Sequence, residues 1–349
     1  MHMSDALVSP AVAGTMYACS GLLTMYSAKK IEIEDNKKII PVMGVMGAVV
    51  FSAQMINFSI PGTGSSGHLC GGVLLSSLLG PYAGFLTMVG ILLIQCLMFA
   101  DGGLLALGCN VFNMAAFGCF LGGFLIWKPI MKNGISKKKI TIAAILASVI
   151  SLQFGAFSVT LETLISGITS LPFSIFVATM QPIHLAIGAI EGVISAAVLI
   201  FIYEMRPELI WTGKTVSLNS TRDGLSDDIR NEKKAKLSFR TVIAVMAMLA
   251  LFTGGILSLF ASEHPDGLEW SIERITGDTE VESDGSIYKA TQEFQDITAI
   301  LPDYGFANAD DLYGVSGTSF SGVVGAFTVI LLCIAICYVI RFCRKNVRT

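Results

Sequence analysis

Charge is what this chain has least of. Only 14% of its 349 residues are Asp, Glu, Lys or Arg while 53% are hydrophobic, against about a quarter charged in a soluble domain. That balance excludes a soluble globular protein and, with it, a nucleic-acid partner; the bilayer is the expected solvent. A basic start leading into a short apolar run is also missing, so residues 1–9 do not read as a signal peptide and Met1 is expected to keep its free α-amine. The eight cysteines form no CxxC pair and none lies in the polar stretch 261–317, which excludes a disulfide framework and leaves small buried thiols. HExxH is absent, so a metalloprotease has no footing. A phosphate-binding loop is absent too. Gly62 and Gly67 have the spacing, but His68 and Leu69 follow where Lys and Ser/Thr are required. Gly213-Lys214-Thr215 has the ending, but Glu208 stands where the first Gly belongs. No ATP site is encoded.

What the chain does have is apolar length. Stretches near the roughly 20 residues that span a bilayer fall at 10–28, 39–58, 82–100, 104–127, 140–165, 182–203, 240–261 and 319–341, with a shorter, Gly-rich ninth at 67–80. Segment 166–180 reads as an outer loop or the frayed start of the following helix. Twenty-one of the 23 Lys and Arg fall after the first and fifth spans, in 204–240 and in the tail. With nine spans all four clusters share one side, which is cytoplasmic by the positive-inside rule. Met1 is then expected outside and Thr349 inside. The expected fold is an all-α polytopic membrane protein. It comprises a seven-helix body (1–205), a polar cytoplasmic linker (206–239) and a two-helix appendix (240–349) with a long external loop, 261–317. That loop holds 13 of the 26 acidic residues. It is expected to raise the local cation concentration by steering, without furnishing ligands, or else to be merely solvated.

Metal chemistry enters at the first two residues. The Met1 α-amine, the His2 peptide nitrogen and the His2 imidazole Nδ1 can close two fused chelate rings, giving three coplanar nitrogens and an open fourth corner. Planar nitrogen ligation suits Ni(II) or Cu(II), not tetrahedral Zn(II). The loop Asn57-Phe-Ser-Ile-Pro61-Gly-Thr-Gly-Ser-Ser-Gly67-His68 lies on the same expected side, and His68 is placed to supply the fourth nitrogen. A frayed N-terminus and a His68 that merely caps a carbonyl are the competing readings. Asp5 neighbours the chelate. Asp101, in Asp101-Gly102-Gly103, is a turn residue or the support of a ligating imidazole. His184 and Glu191, seven residues apart on one helical face, are intramembrane ionisable groups expected to contact each other and stabilise helix packing.

Four ordered motifs carry a resemblance: Met1-His2-Met-Ser-Asp5-Ala-Leu, the 57–69 loop, Asp101-Gly-Gly-Leu-Leu-Ala-Leu-Gly, and His184-Leu-Ala-Ile-Gly-Ala-Ile-Glu191-Gly. Together they resemble the CbiM/NikM family, the substrate-binding components of energy-coupling factor transporters for cobalt and nickel, over roughly residues 1–205. Pro265-Asp266-Gly267-Leu268-Glu269 looks like the PDGLE signature of the small NikN-type component, here fused into one chain. The resemblance implies a metal site of Met1, His2 and His68, Ni(II) or alternatively Co(II) as transported ligand, no cofactor and no enzymatic activity. It also implies partners: a transmembrane coupling subunit and ATPase subunits. Met3-Ser4-Asp5-Ala6 and Gly62-Thr-Gly-Ser-Ser-Gly67 depart from the commoner family forms but leave the ligands in place. A membrane metalloenzyme would need an open coordination position and an acid/base carboxylate at the metal. A self-sufficient permease would need coupling-ion groups at the midplane, for which only Glu162, His184 and Glu191 offer themselves.

Overall fold

The computed structural model of the protein describes residues 1–31, 38–213, 236–281, 283–306 and 314–347. Lys37, most of the linker, the Lys214-Thr215 ending and 307–313 of the external loop lie outside them. Among the described residues the apolar stretches form α1 (Pro10–Lys30), α2 (Ile39–Gln54), α3 (Gly72–Leu79), α4 (Pro81–Phe99), α5 (Leu107–Met131), α6 (Lys137–Ser166), α7 (Phe173–Met205) and α8 (Phe239–Gly255). Two amphipathic helices, α9 (Gly267–Thr276) and α10 (Ser286–Thr298), precede the last apolar helix, α11 (Gly314–Val347). Between α2 and α3 lies a hairpin, β1 (Phe58–Ile60) against β2 (Ser65–Gly67), with Ser59 opposite Ser66.

Five helices, α4 to α7 and Gly317–Arg344 of α11, are long and apolar enough to cross a membrane. The protein is an all-α polytopic membrane protein. Leu125, Ile165, Val193 and Leu331 stand exposed on these spans, as a lipid-facing surface requires, whereas Glu162, His184 and Glu191 are buried. Hydrophobicity cannot hold one apolar helix to another in lipid, so close packing must. The α6–α7 pair shows how: a Cβ on Gly188 would stand 2.9 Å from Val149 Cα, and one on Gly192 2.5 Å from Ile145 Cα. On the other side α8 and α11 pack against α2. A Cβ on Gly47 would lie 2.9 Å from Val329 Cγ1, and one on Gly254 3.1 Å from Gly322 Cα.

Three boundaries differ from the sequence reading. Helix α7 begins at Phe173, not near 182, and runs through Pro182. A membrane helix tolerates the lost backbone donor of a proline, and beside it the amide of Gln153 on α6 donates to the Gln181 carbonyl at 2.9 Å, tying the two helices together. The second span stops at Gln54 because the chain must turn into β1. At eight residues, α3 is too short to cross a bilayer. The external loop is not merely solvated, since α9, α10 and the turn Pro302–Tyr304 fold back over the N-terminus, as the contacts below show.

Candidate metal site

The N-terminus is held inside the protein rather than frayed. Met1 and Met3 are buried. The Met3 backbone is clamped from both sides by Asn110 of α5: its N–H donates to Asn110 Oδ1 at 2.7 Å, and Asn110 Nδ2 donates to its carbonyl at 3.1 Å. The Gly103 N–H donates to the same carbonyl at 2.9 Å. Asp5 closes the next turn, accepting from Ala106 N–H at 3.0 Å and from the Thr291 hydroxyl of α10 at 2.7 Å. It supports the turn and does not face the amine.

His68 follows β2 and reaches the same point from the other direction. Its segment is fixed by α7, whose Glu191 carboxylate accepts from Cys70 N–H at 2.8 Å and Gly71 N–H at 3.1 Å. Gly71 adopts φ +82°, which favours glycine, so the chain can turn there into α3. The expected contact between His184 and Glu191 does not form. His184 Nδ1 instead donates to the Met180 carbonyl one turn back, at 2.8 Å. Both Glu191 oxygens are taken by the two N–H groups that place His68. Glu191→Ala is expected to lower stability by about 2–6 kcal/mol, because two buried N–H groups lose their acceptor at roughly 1–3 kcal/mol each. Thermal unfolding in detergent checks this, and ion affinity should fall with it.

At the centre, the Met1 nitrogen lies 3.1 Å from His68 Nε2. His68 Nδ1 donates to the Leu69 carbonyl at 3.1 Å, so Nε2 carries the lone pair that faces the amine. Burial, with the neighbouring amine charge, holds the His68 imidazole below its ordinary pKa, which keeps it neutral and able to act as a ligand. The His2 ring stands beside it, centroids 5.2 Å apart and planes within 12°. His2 Nδ1 lies 3.0 Å from Asp101 Oδ1, and Nε2 is buried without a partner. Asp101 Oδ2 also accepts from the Tyr304 hydroxyl. Burial raises the Asp101 pKa, but the His2 charge and these hydrogen bonds outweigh it and bring it down.

Sequence reasoning missed the role of Asp266. Its Oδ2 pairs with the Met1 amine and lies 3.7 Å from His68 Nε2. Although burial raises its pKa, the amine and His68 pull it well below the ordinary carboxylate value. The signal was its place inside the Pro265–Glu269 signature. Asn110, a polar side chain in an apolar span, was the other available clue. Among the described residues no three His, Cys, Asp or Glu side chains gather closely enough to hold an ion by themselves. Donors at right angles around an ion about 2.1 Å from each stand about 3.0 Å apart, and the amine–Nε2 distance of 3.1 Å meets that spacing.

Known proteins carry the same organisation. Residues 2–209 match the family described as cobalt uptake substrate-specific transmembrane region, and residues 240–342 match the PDGLE domain. A putative fused nickel transport protein NikMN of Archaeoglobus fulgidus is 31% identical over 346 residues, covering 95% of this chain and 96% of that one. A cobalt transport protein CbiM of Geobacter sulfurreducens is 28% identical, covering 60% and 61% of the two chains. The crystal structure of a truncated transition metal transporter superposes with a TM-score of 0.52 at 28% identity, covering 58% of this chain and 99% of that one. These relatives are metal transport proteins, not enzymes, and nickel or cobalt is what such a protein moves. The chain belongs to the CbiM family of metal-uptake membrane proteins, with a PDGLE domain fused behind it, and is a nickel/cobalt transport component of the CbiM/NikM type.

Proposed function

We propose that the chain is the substrate-capturing component of an energy-coupling factor transporter and binds Ni(II), with Co(II) the alternative. The four donors are the Met1 amine, the His2 peptide nitrogen, His2 Nδ1 and His68 Nε2. The observation that carries this reading is the buried pairing of the Met1 nitrogen with His68 Nε2 at 3.1 Å, across 67 positions of sequence. Two groups must move for the plane to close: the amine leaves Asp266, and His2 Nδ1 turns from Asp101, which then accepts from Nε2–H instead. Ligand exchange of this kind releases protons, so uptake should weaken as pH falls.

Residues 1–205 form the capturing body and 240–349 the fused appendix, joined by the 206–239 linker. The N-terminal end faces outside, and the basic clusters at the opposite end lie in the cytoplasm. A transmembrane coupling subunit and ATPase subunits would supply energy, since the chain encodes no nucleotide site. Along α1, a Cβ on Gly14 or Gly21 would meet nothing within 4 Å, and Ala18 between them is exposed. That narrow face suits a partner helix. The self-sufficient permease is less well supported, because its candidate carboxylates are already engaged. Glu191 serves Cys70 and Gly71, and Glu162 accepts from Asn113 at 2.7 Å and Ser158 at 3.2 Å. The test is the metal content of the untagged full chain purified from cells given both metals. About one equivalent of nickel is expected, as planar nitrogen ligation favours it. A chain that carries neither metal overturns the reading.

A further inference from the structure

We infer that Asp266 is itself a ligand of the transported ion, an oxygen set above the nitrogen plane by the PDGLE segment, so that the appendix governs how fast the ion comes and goes. This rests on the four-nitrogen reading, and three observations support it.

The first is position. Asp266 Oδ2 pairs with the Met1 amine and lies 3.7 Å from His68 Nε2, while those two nitrogens are 3.1 Å apart. An ion about 2.1 Å from the two nitrogens would subtend about 95° between them. Once the amine has left Oδ2, as closing the nitrogen plane requires, that oxygen still faces the ion from off the plane, where a planar set of four nitrogens leaves a face free.

The second is rigidity. Asp266 Oδ1 is spent on capping α9, accepting from Leu268 N–H at 2.7 Å and Glu269 N–H at 3.0 Å, and the Glu269 carboxylate returns a hydrogen bond to Asp266 N–H at 3.0 Å. Only Oδ2 is left for the site. The residues just before it are fastened to the hairpin that carries His68. Ser66 N–H donates to the Pro265 carbonyl at 2.8 Å, and the Ser66 hydroxyl to the His264 carbonyl at 2.7 Å. Indole N–H of Trp270 donates to the Thr63 carbonyl at 3.0 Å. Asp266 and His68, nearly two hundred positions apart, therefore move as one unit.

The third is charge. A divalent ion bound through one deprotonated peptide nitrogen keeps a net charge of plus one, which is costly to bury uncompensated. Two carboxylates stand beside it, Asp101 at His2 and Asp266 at the amine and His68, so the positive charge meets an anion on both sides. Before the ion arrives the Asp266 carboxylate balances the α-amine, so capture exchanges one cation for another beside a fixed anion. The pre-placed oxygen gives the ion its first foothold while the amine is still engaged. This departs from the expectation that the acidic loop supplies no ligand.

Asp266→Asn and Asp266→Ser both keep an acceptor for the α9 cap, so folding can be held constant and checked by thermal unfolding. Full-length untagged protein is loaded with Ni(II), read by nickel-edge X-ray absorption, and its nickel is then released to a chelator. The wild type should lack the sharp pre-edge feature of planar four-coordinate Ni(II), and both variants should show it. Release should quicken by about tenfold or more, the scale on which groups around a metal act. A planar signature already present in the wild type overturns the inference, as do variants with unchanged spectrum and release. If the wild type binds no nickel, the four-nitrogen reading itself falls; a planar wild type sinks only the role of Asp266.

Discussion

One glycine added before Met1 is expected to abolish stoichiometric metal binding and uptake, although no side chain changes. The Met1 nitrogen would become an amide, and the free amine would move one residue away, about 3.8 Å along the chain. Three of the four proposed donors are tied to that nitrogen through the chelate rings, so the rings open together. The same insertion also removes the charge that Asp266 faces. Breaking a buried pair by deleting one partner costs about 3–5 kcal/mol, so the unfolding temperature should drop as well. Space is short besides, because Met1 is buried with His68 on one side and Asp266 on the other. A tag after Thr349 should change neither binding nor uptake. The measurement is nickel content and cellular uptake for the two tagged chains side by side. An extended N-terminus that still carries one equivalent would remove Met1 and His2 from the site.

The four long apolar runs of the body, α4 to α7, were legible because a bilayer demands continuous apolar length, and periodicity hardly matters to that signal. Met1, His2 and His68 were legible for a different reason, since chelate geometry is local to two residues and needs no tertiary structure to state. What could not be read was the far side of the site. Asp266 lies 265 positions from the amine it pairs with, and its sequence neighbourhood says helix cap as clearly as it says anything. The Asp266-to-Glu269 spacing is a capping box, and the structure contains that box. Only folding shows that one carboxylate oxygen caps while the other faces the amine. Glu191 misled for a related reason. Helical spacing places it on one face with His184, but the strand-to-helix connection at Cys70 and Gly71 offers it two N–H donors, and an unpaired buried N–H outbids a neutral imidazole. Tyr304, whose hydroxyl reaches Asp101, sits in a turn with positive φ at both Asp303 and Tyr304, a conformation that composition does not announce. The appendix thus supplies one of the two carboxylates beside the proposed ligands, Asp266, and touches the other, Asp101, a link invisible to span counting.

Five ionisable side chains, those of His2, His68, His184, Asp101 and Asp266, lie near the proposed ion, and the expected responses of the two imidazoles His68 and His184 separate ligand from scaffold. His68→Ala should lose tight binding by more than the roughly 10–100-fold that follows from disturbing groups behind the ligands. It removes a donor outright, and the replacement leaves nothing within reach of the amine but Asp266. His184→Ala should bind within a few-fold of the wild type. Its Nδ1 serves only its own helix, and its buried Nε2 has no partner. Deleting that orphan relieves a desolvation penalty of about 1–3 kcal/mol, which offsets much of the cavity left against Gly267, so stability should move little as well. The contrast is informative because both rings line the same small cavity beside Met1 and Asp266; proximity alone predicts equal effects. Calorimetric nickel titration of the two folded variants decides the matter. Equal loss in both would mean that burial near the N-terminus, rather than the Nε2 lone pair of His68, is what binding requires.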